Sequence, residues 1–208
     1  SAQAARELGL SPQTVIVAGG HDQCVCGVGC GVIQPGRAMY SMGTYLCVMP
    51  VFAQRHAPAV MLKLGLNTEH HAAPGRYTSF IYIQGGAMVK WFRDTFAAAD
   101  RRDAQRAGRD IYGDLIAEMP AGPSSVLALP HWVITGPPEF IPDSSGVLVG
   151  LRLETRRGDI LKGLIEGVTF YLRECIESLP AAGIEINDLC VVGGGSKSDT
   201  WVQLSADI

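Results

Sequence analysis

Charge is scarce in this chain. Asp, Glu, Lys and Arg make up 18% of 208 residues and leave a formal net charge of −3, with a pI of about 5.9. No basic stripe offers an electrostatic footprint for phosphodiester backbones, so nucleic acid is not an expected partner. Long apolar runs are missing too. The longest, Tyr45 to Ala53, has about nine residues, whereas a membrane-spanning helix needs about twenty; a membrane is not an expected partner either. Ser1 to Leu10 is amphipathic and polar, not a signal peptide. The C-x2-C pairs of common zinc sites are absent. The six cysteines are Cys24, Cys26, Cys30, Cys47, Cys175 and Cys190, and the first three are spaced C-x-C-x3-C. They read as small packed thiols. Free thiols imply a reducing compartment, most simply cytoplasm. Neither G-x-x-x-x-G-K-[ST] nor G-x-G-x-x-G occurs.

What is present describes a folded α/β domain. Apolar residues reach 47%, and glycine is abundant at 25 residues without a collagen period. Thr14 to Ala18 is a β-branched run ending in Gly19-Gly20, which predicts a buried strand and a tight turn. Gln23 to Gly31, rich in small residues, predicts a short helix. Arg37–Ser41 and Tyr45–Val51 flank Met42-Gly43-Thr44 and predict a hairpin. Val60–Leu66 and Thr78–Ile83 read as further strands. Helical spacing starts at Ala87, and a second helix is expected from Asp103 to Met119. Val126–Leu129 and Gly146–Leu151 read as strands around a proline-punctuated loop, His131–Ser145. The clearest element is a helix from Asp159 to Leu179, closed by Pro180. Leu189–Val192 then predicts a strand, Gly193-Gly194-Gly195 a turn, and Ser198 onward a helix. Hairpins followed by alternating helix and strand argue for a mixed sheet with flanking helices.

Three glycine-marked strand ends could carry chemistry: Gly19 to Gln23, Met42 to Thr44, and Gly193 to Ser196. In open α/β sheets ligands gather at the carboxyl ends of strands. Glycine lets backbone N–H groups approach phosphate, and a helix N-terminus favours the anion. Each turn is equally explained as a tight turn. Asp22 is either a general base for an attacking hydroxyl or a helix N-cap. His21 reads as a packing residue, Trp91 as a core contact, and His70 and His71 as solvated loop residues. Glu166, mid-helix, is left open between burial and solvent.

Taken in order, these motifs resemble the FGGY family of carbohydrate kinases. Gly19-Gly20-His21-Asp22-Gln23 resembles the family's strand-end motif, and Met42-Gly43-Thr44 its phosphate hairpin. Gly86 with Lys90-Trp91 resembles the nucleotide end of a helix. Gly146 to Leu151, followed by Asp159-Ile160 and Leu164 to Gly167, resembles the second family signature. Gly163 departs from that signature, which prefers alanine or serine. Val192 to Ser196, Trp201, Gln203 and Ala206 to Ile208 resemble the adenosine-binding turn and helix.

The resemblance implies an actin-like, ribonuclease-H-like ATPase domain. Residues 1–208 would be most of the second of two domains, with the sugar-binding first domain and a final segment lying outside them. It implies ATP and Mg²⁺ as cofactors and a sugar or polyol as substrate. Asp22 would be the general base and Gln23 a substrate contact. Gly43, Thr44, Gly86, Lys90, Gly194, Gly195 and Asp199 would line the nucleotide. Many members carry an amide in place of Asp199. No residue is assigned as a metal ligand, and a homo-oligomer is left open. The isolated chain is expected to be inactive. The alternative is a non-catalytic nucleotide-binding module of the same fold, which would not need a carboxylate at position 22.

Overall fold

The computed structural model describes residues 2–11, 13–17, 19–136 and 138–208. In chain order the elements are α1 (Ala2–Glu7), α2 (Asp22–Gly29), β1 (Gly36–Met42), β2 (Tyr45–Phe52), α3 (Pro58–Lys63), β3 (Glu69–His70), β4 (Tyr77–Thr78) and β5 (Ile81–Gln84). They continue with α4 (Gly86–Phe96), α5 (Ala98–Ala107), α6 (Ile111–Ala117), β6 (Leu127–Leu129), β7 (Val147–Val149), α7 (Arg157–Ser178), β8 (Ile186–Val192) and α8 (Asp199–Asp207). Short 3₁₀ turns follow α7 and precede α8.

β1 and β2 form the expected antiparallel hairpin, with Met39 opposite Met49 and Met42 opposite Leu46. β5 pairs antiparallel with the first half of β2, and β4 with its far end. β8 runs parallel to β1 and places Cys190 beside Met39. This is the mixed sheet that the sequence pattern predicts.

Period-two alternation sends the hairpin's side chains to two different cores. Ala38, Tyr40, Met42, Leu46 and Val48 face a large core shared with Phe92 of α4, Leu161, Leu164 and Val168 of α7, and Trp201 of α8. Met39, Cys47, Met49 and Val51 face a smaller core with Cys24 of α2 and Phe80. The sheet therefore has α2 on one side and α4, α7 and α8 on the other.

α7 lies unusually close to its neighbours. A Cβ on Gly163 would fall inside contact distance of the Val126 carbonyl, and one on Gly167 would do the same to Ala128. The departure at Gly163 thus has a local cause, because β6 crosses the helix where a methyl would sit. Asp159 caps the helix by accepting from Arg156 N–H at 2.8 Å. Arg157 grips Glu118 with two nitrogens, at 2.7 and 2.5 Å, and Asp100 with a third at 2.6 Å. That fork ties α7 to the segment after α6 and to α5.

Glu166 is buried. It accepts from Ser124 N–H at 3.1 Å and faces Lys162 at 4.0 Å, while Lys162 Nζ donates to the Pro120 and Ala121 carbonyls. The carboxylate thus fastens the 120–124 loop to the helix. Replacing one partner of a buried pair strands the other. Glu166→Leu should cost about 2–4 kcal/mol of stability by urea denaturation, and a loss within about 0.5 kcal/mol would show the clamp to be idle.

Five expectations fail locally. Residues 14–17 form no strand; Val15, Ile16 and Val17 are each 80% or more exposed, and Ala18 lies outside the described residues. A strand exists only as part of a ladder, and no described strand runs beside this one. Val60–Leu66 is mostly helix α3, started by Pro58 at its first position. The single helix expected over Asp103–Met119 is two, α5 and α6, because Gly108 takes the left-handed conformation at φ 64° and Asp110 starts the next helix by accepting from Tyr112 N–H. His71 is buried instead of solvated, and burial lowers its imidazole pKa. The strand expected over Thr78–Ile83 is interrupted as well, since Asn67 Oδ1 takes hydrogen bonds from Ser79 Oγ and Phe80 N–H.

Candidate functional site

A cleft of about 720 Å³ opens at the end of the sheet where β1 turns into β2. Met42, Gly43 and Thr44 form its floor, and the N-terminal turn of α4 (Gly86, Ala87, Val89, Lys90) forms one wall. Gly194, Gly195 and the start of α8 (Asp199, Thr200, Trp201) form another. The seven residues expected at a nucleotide, Gly43, Thr44, Gly86, Lys90, Gly194, Gly195 and Asp199, all line this one cleft.

The floor is built by close backbone approach. Gly86 N–H donates to the Gly43 carbonyl at 3.1 Å, and Ala87 N–H to the Thr44 carbonyl at 3.0 Å. A Cβ on Gly86 would press into the Gly43 carbonyl, so only glycine lets α4 dock here. These bonds also redirect the anion-binding argument. The N–H groups of Gly43, Gly86 and Ala87 are already spent on carbonyls, whereas the Thr44 N–H and hydroxyl carry no hydrogen bond among the described residues. An anion at the floor would meet Thr44 first. Lys90 lines the wall with its ammonium held 2.8 Å from Asp94. The Lys90 and Arg93 hydrogen bonds hold the Asp94 carboxyl down at about 2. Lys197, also at the rim, makes no ion pair among the described residues.

The opposite wall comes from α6, which the sequence reading missed. Asp110, Tyr112, Gly113, Ile116 and Ala117 line the same cleft as Trp201, whose ring is otherwise buried in the core. Arg93 donates to the Tyr112 hydroxyl at 2.7 Å and lies over its ring at 5.2 Å, which fixes the ring. The only sequence signal here is an Asp before a short apolar pattern, and it says helix start without saying site. The cleft thus brings Thr44 and Lys90 at the hairpin together with the Tyr112 and Trp201 rings and the polar Asp110 and Asp199 on its walls. A lining that mixes a few polar groups with aromatic surface suits a ligand with phosphates and a flat ring.

Asp22 and Gln23 do not line this cleft. Asp22 is the first residue of α2, with His21 before it in the cap position. Its carboxylate is 88% exposed and, among the described residues, accepts only from Gln23 N–H, with His21 at 3.6 Å. His21 packs its ring on Phe80 at 4.9 Å, as expected of a packing residue. Asp22 lies near enough to Cys47 for its charge to add to burial in pushing that thiol up to about 12. Since Cys47 follows Thr44 by three positions and faces the α2 side, Asp22 sits on the other side of the hairpin from the cleft. Gln23 Oε1 is buried without a hydrogen-bond partner among the described residues.

Among the described residues no group of three or more His, Cys, Asp or Glu side chains is placed to hold a metal ion. Among the described residues no helix is long and apolar enough to cross a membrane.

Comparison with known proteins places this arrangement. A xylulose kinase from Staphylococcus epidermidis is 29% identical over 98% of this chain and 39% of its own length. A gluconokinase from Bacillus licheniformis is 28% identical over 97% of the chain. The crystal structure of a xylulose kinase from Rhodospirillum rubrum superposes with a TM-score of 0.79 at 25% identity, over 100% of this chain and 40% of that one. The fold is therefore the actin-like, ribonuclease-H-like ATPase fold, and the chain spans about two fifths of the length of the relatives it matches. The family model for the C-terminal domain of FGGY carbohydrate kinases matches residues 38–208, so this chain belongs to the FGGY family of carbohydrate kinases.

Proposed function

We propose that the protein transfers the γ-phosphoryl group of ATP to a hydroxyl of a sugar or polyol, and that residues 1–208 supply most of its second domain. The observation that carries this reading is the Gly43-Thr44 bend, with a nucleotide-sized cleft on one side and a carboxylate at a helix start on the other. ATP would lie with its base between Tyr112 and Trp201 and its phosphates over the hairpin. Thr44 and Lys90 would hold the terminal phosphates. Phosphoryl transfer demands positioning and charge stabilisation more than covalent chemistry, and this floor offers both.

Asp22 would accept the proton of the attacking hydroxyl as its oxygen bonds to the γ-phosphorus and ADP departs. Its exposure leaves it free to meet a substrate from a first domain, and the orphaned Gln23 side chain would take one hydroxyl of that substrate. A module that only binds nucleotide would have no use for Asp22. The implied Mg²⁺ would be carried mainly by the phosphates, as is usual when a protein supplies few ligands.

The test is a panel of ketoses, aldoses and polyols with ATP and the full-length protein, reading ADP release. ADP release that depends on one acceptor is expected, and release indifferent to every acceptor would overturn the reading.

Gly195 offers a narrower check. A Cβ there would sit 2.9 Å from Met42 Cβ, so the crowding falls on the cleft floor and not on the ligand. Overpacking of this kind costs about 1–3 kcal/mol. Gly195→Val should raise the Kd for ATP roughly ten- to a hundredfold by calorimetry. An unchanged Kd would remove this turn from the site.

A further inference from the structure

Four of the six thiols gather around the smaller core beneath α2. Cys24 and Cys47 are buried in it, and Cys30 and Cys190 are half-buried at its edge. Cys30 caps the C-terminal end of α2, and Cys190 is on β8, on the face that meets α2. The Cys190 Sγ lies 3.7 Å from the Cys30 carbonyl, to which it donates, so the two residues are in direct contact. They are 160 residues apart in sequence. The same two elements are bridged beside them by Arg37, which donates to the Gly31 carbonyl at 3.0 Å and to Asp188 at 2.8 Å. This end of α2 is therefore tied to β8 beside the two cysteines, which holds Cys30 and Cys190 next to one another.

We propose that Cys30 and Cys190 form a reversible disulfide that staples α2 to β8, a redox modification site distinct from the nucleotide cleft. The co-reactant is a low-molecular-weight disulfide such as glutathione disulfide. The Cys30 thiolate attacks one of its sulfurs and expels one glutathione thiolate, leaving a mixed disulfide on Cys30. Cys190 then loses its proton and attacks the Cys30 sulfur, expelling the second glutathione thiolate. Two protein thiols are oxidised by two electrons, one small disulfide is reduced to two thiols, and the two protons pass to them. Burial and the neighbouring Cys30 thiol raise the Cys190 pKa, so little thiolate stands on Cys190 at neutral pH and its intramolecular attack draws on the proximity of the Cys30 sulfur and on mildly alkaline conditions. Cys26, exposed on the same helix, has no such partner among the described cysteines and serves as a control.

The experiment treats the full-length protein with glutathione disulfide at mildly alkaline pH, blocks remaining thiols under denaturing conditions, and maps peptides by mass spectrometry. A Cys30–Cys190 cross-linked peptide that disappears on dithiothreitol treatment is expected, together with a rise in Tm of several degrees, as closing a long loop predicts. Cys30→Ser and Cys190→Ser should each abolish that peptide, while Cys26→Ser should leave it intact. Stable glutathione adducts on Cys30 without the cross-link, or no oxidation at either residue, would overturn the proposal in the unmodified protein, whatever the variants do.

Discussion

Asp22→Asn in the full-length protein is expected to lower kcat by about 10²- to 10⁴-fold, with the Kd for ATP little changed. The amide keeps the size of the side chain and the start of α2 but cannot take a proton. The separation of Asp22 from the cleft by the hairpin is what splits the two effects. If Asp22 were only a helix-end residue, the change would cost a few tenths of a kcal/mol of stability and leave turnover intact. Normal turnover would therefore remove it from the chemistry. A parallel loss of ATP binding would show that it supports the cleft instead.

Gly86→Val is expected to raise the Kd for ATP by on the order of a hundredfold or more, because several kcal/mol of overpacking falls on the cleft. A side chain at position 86 would meet the Gly43 carbonyl and the Thr44 Cα, which are backbone atoms with no rotamer to yield. α4 would have to leave the hairpin, carrying Lys90 with it and breaking the bonds from Gly86 and Ala87 to the floor. Gly122→Ala is the matched control, since a Cβ there meets nothing within 4 Å and the residue is not among those lining the cleft. Near-normal binding in that control, with circular dichroism unchanged in both variants, separates a local loss from misfolding. ATP binding retained by Gly86→Val would move the nucleotide away from this floor.

The sequence pattern revealed elements whose residues answer to local rules. The β1–β2 hairpin is marked by its glycine bend, α7 by long helical spacing between Asp159 and Pro180, and the β8 turn by its three glycines. Failures fall where neighbours decide. Val60, Met61 and Leu62 form an apolar run that fits a strand or a helix equally, and only Met61 is buried by the fold. His71 looks like a loop histidine until α2 covers it. The seven cleft residues were legible because motif order gathers them, but the α6 wall was not. Asp110 and Tyr112 reach the cleft only because Gly108 breaks the helix and turns α6 across it. That is a consequence of packing, with no residue spacing to announce it.

ATP binding in the cleft between the hairpin, α6 and α8 is tested directly by photolabelling the full-length protein with 8-azido-ATP, followed by peptide mapping. Label within 110–117 or 198–201, suppressed by excess ATP, is the expected result. ATP-suppressible label confined to other parts of the protein would contradict it.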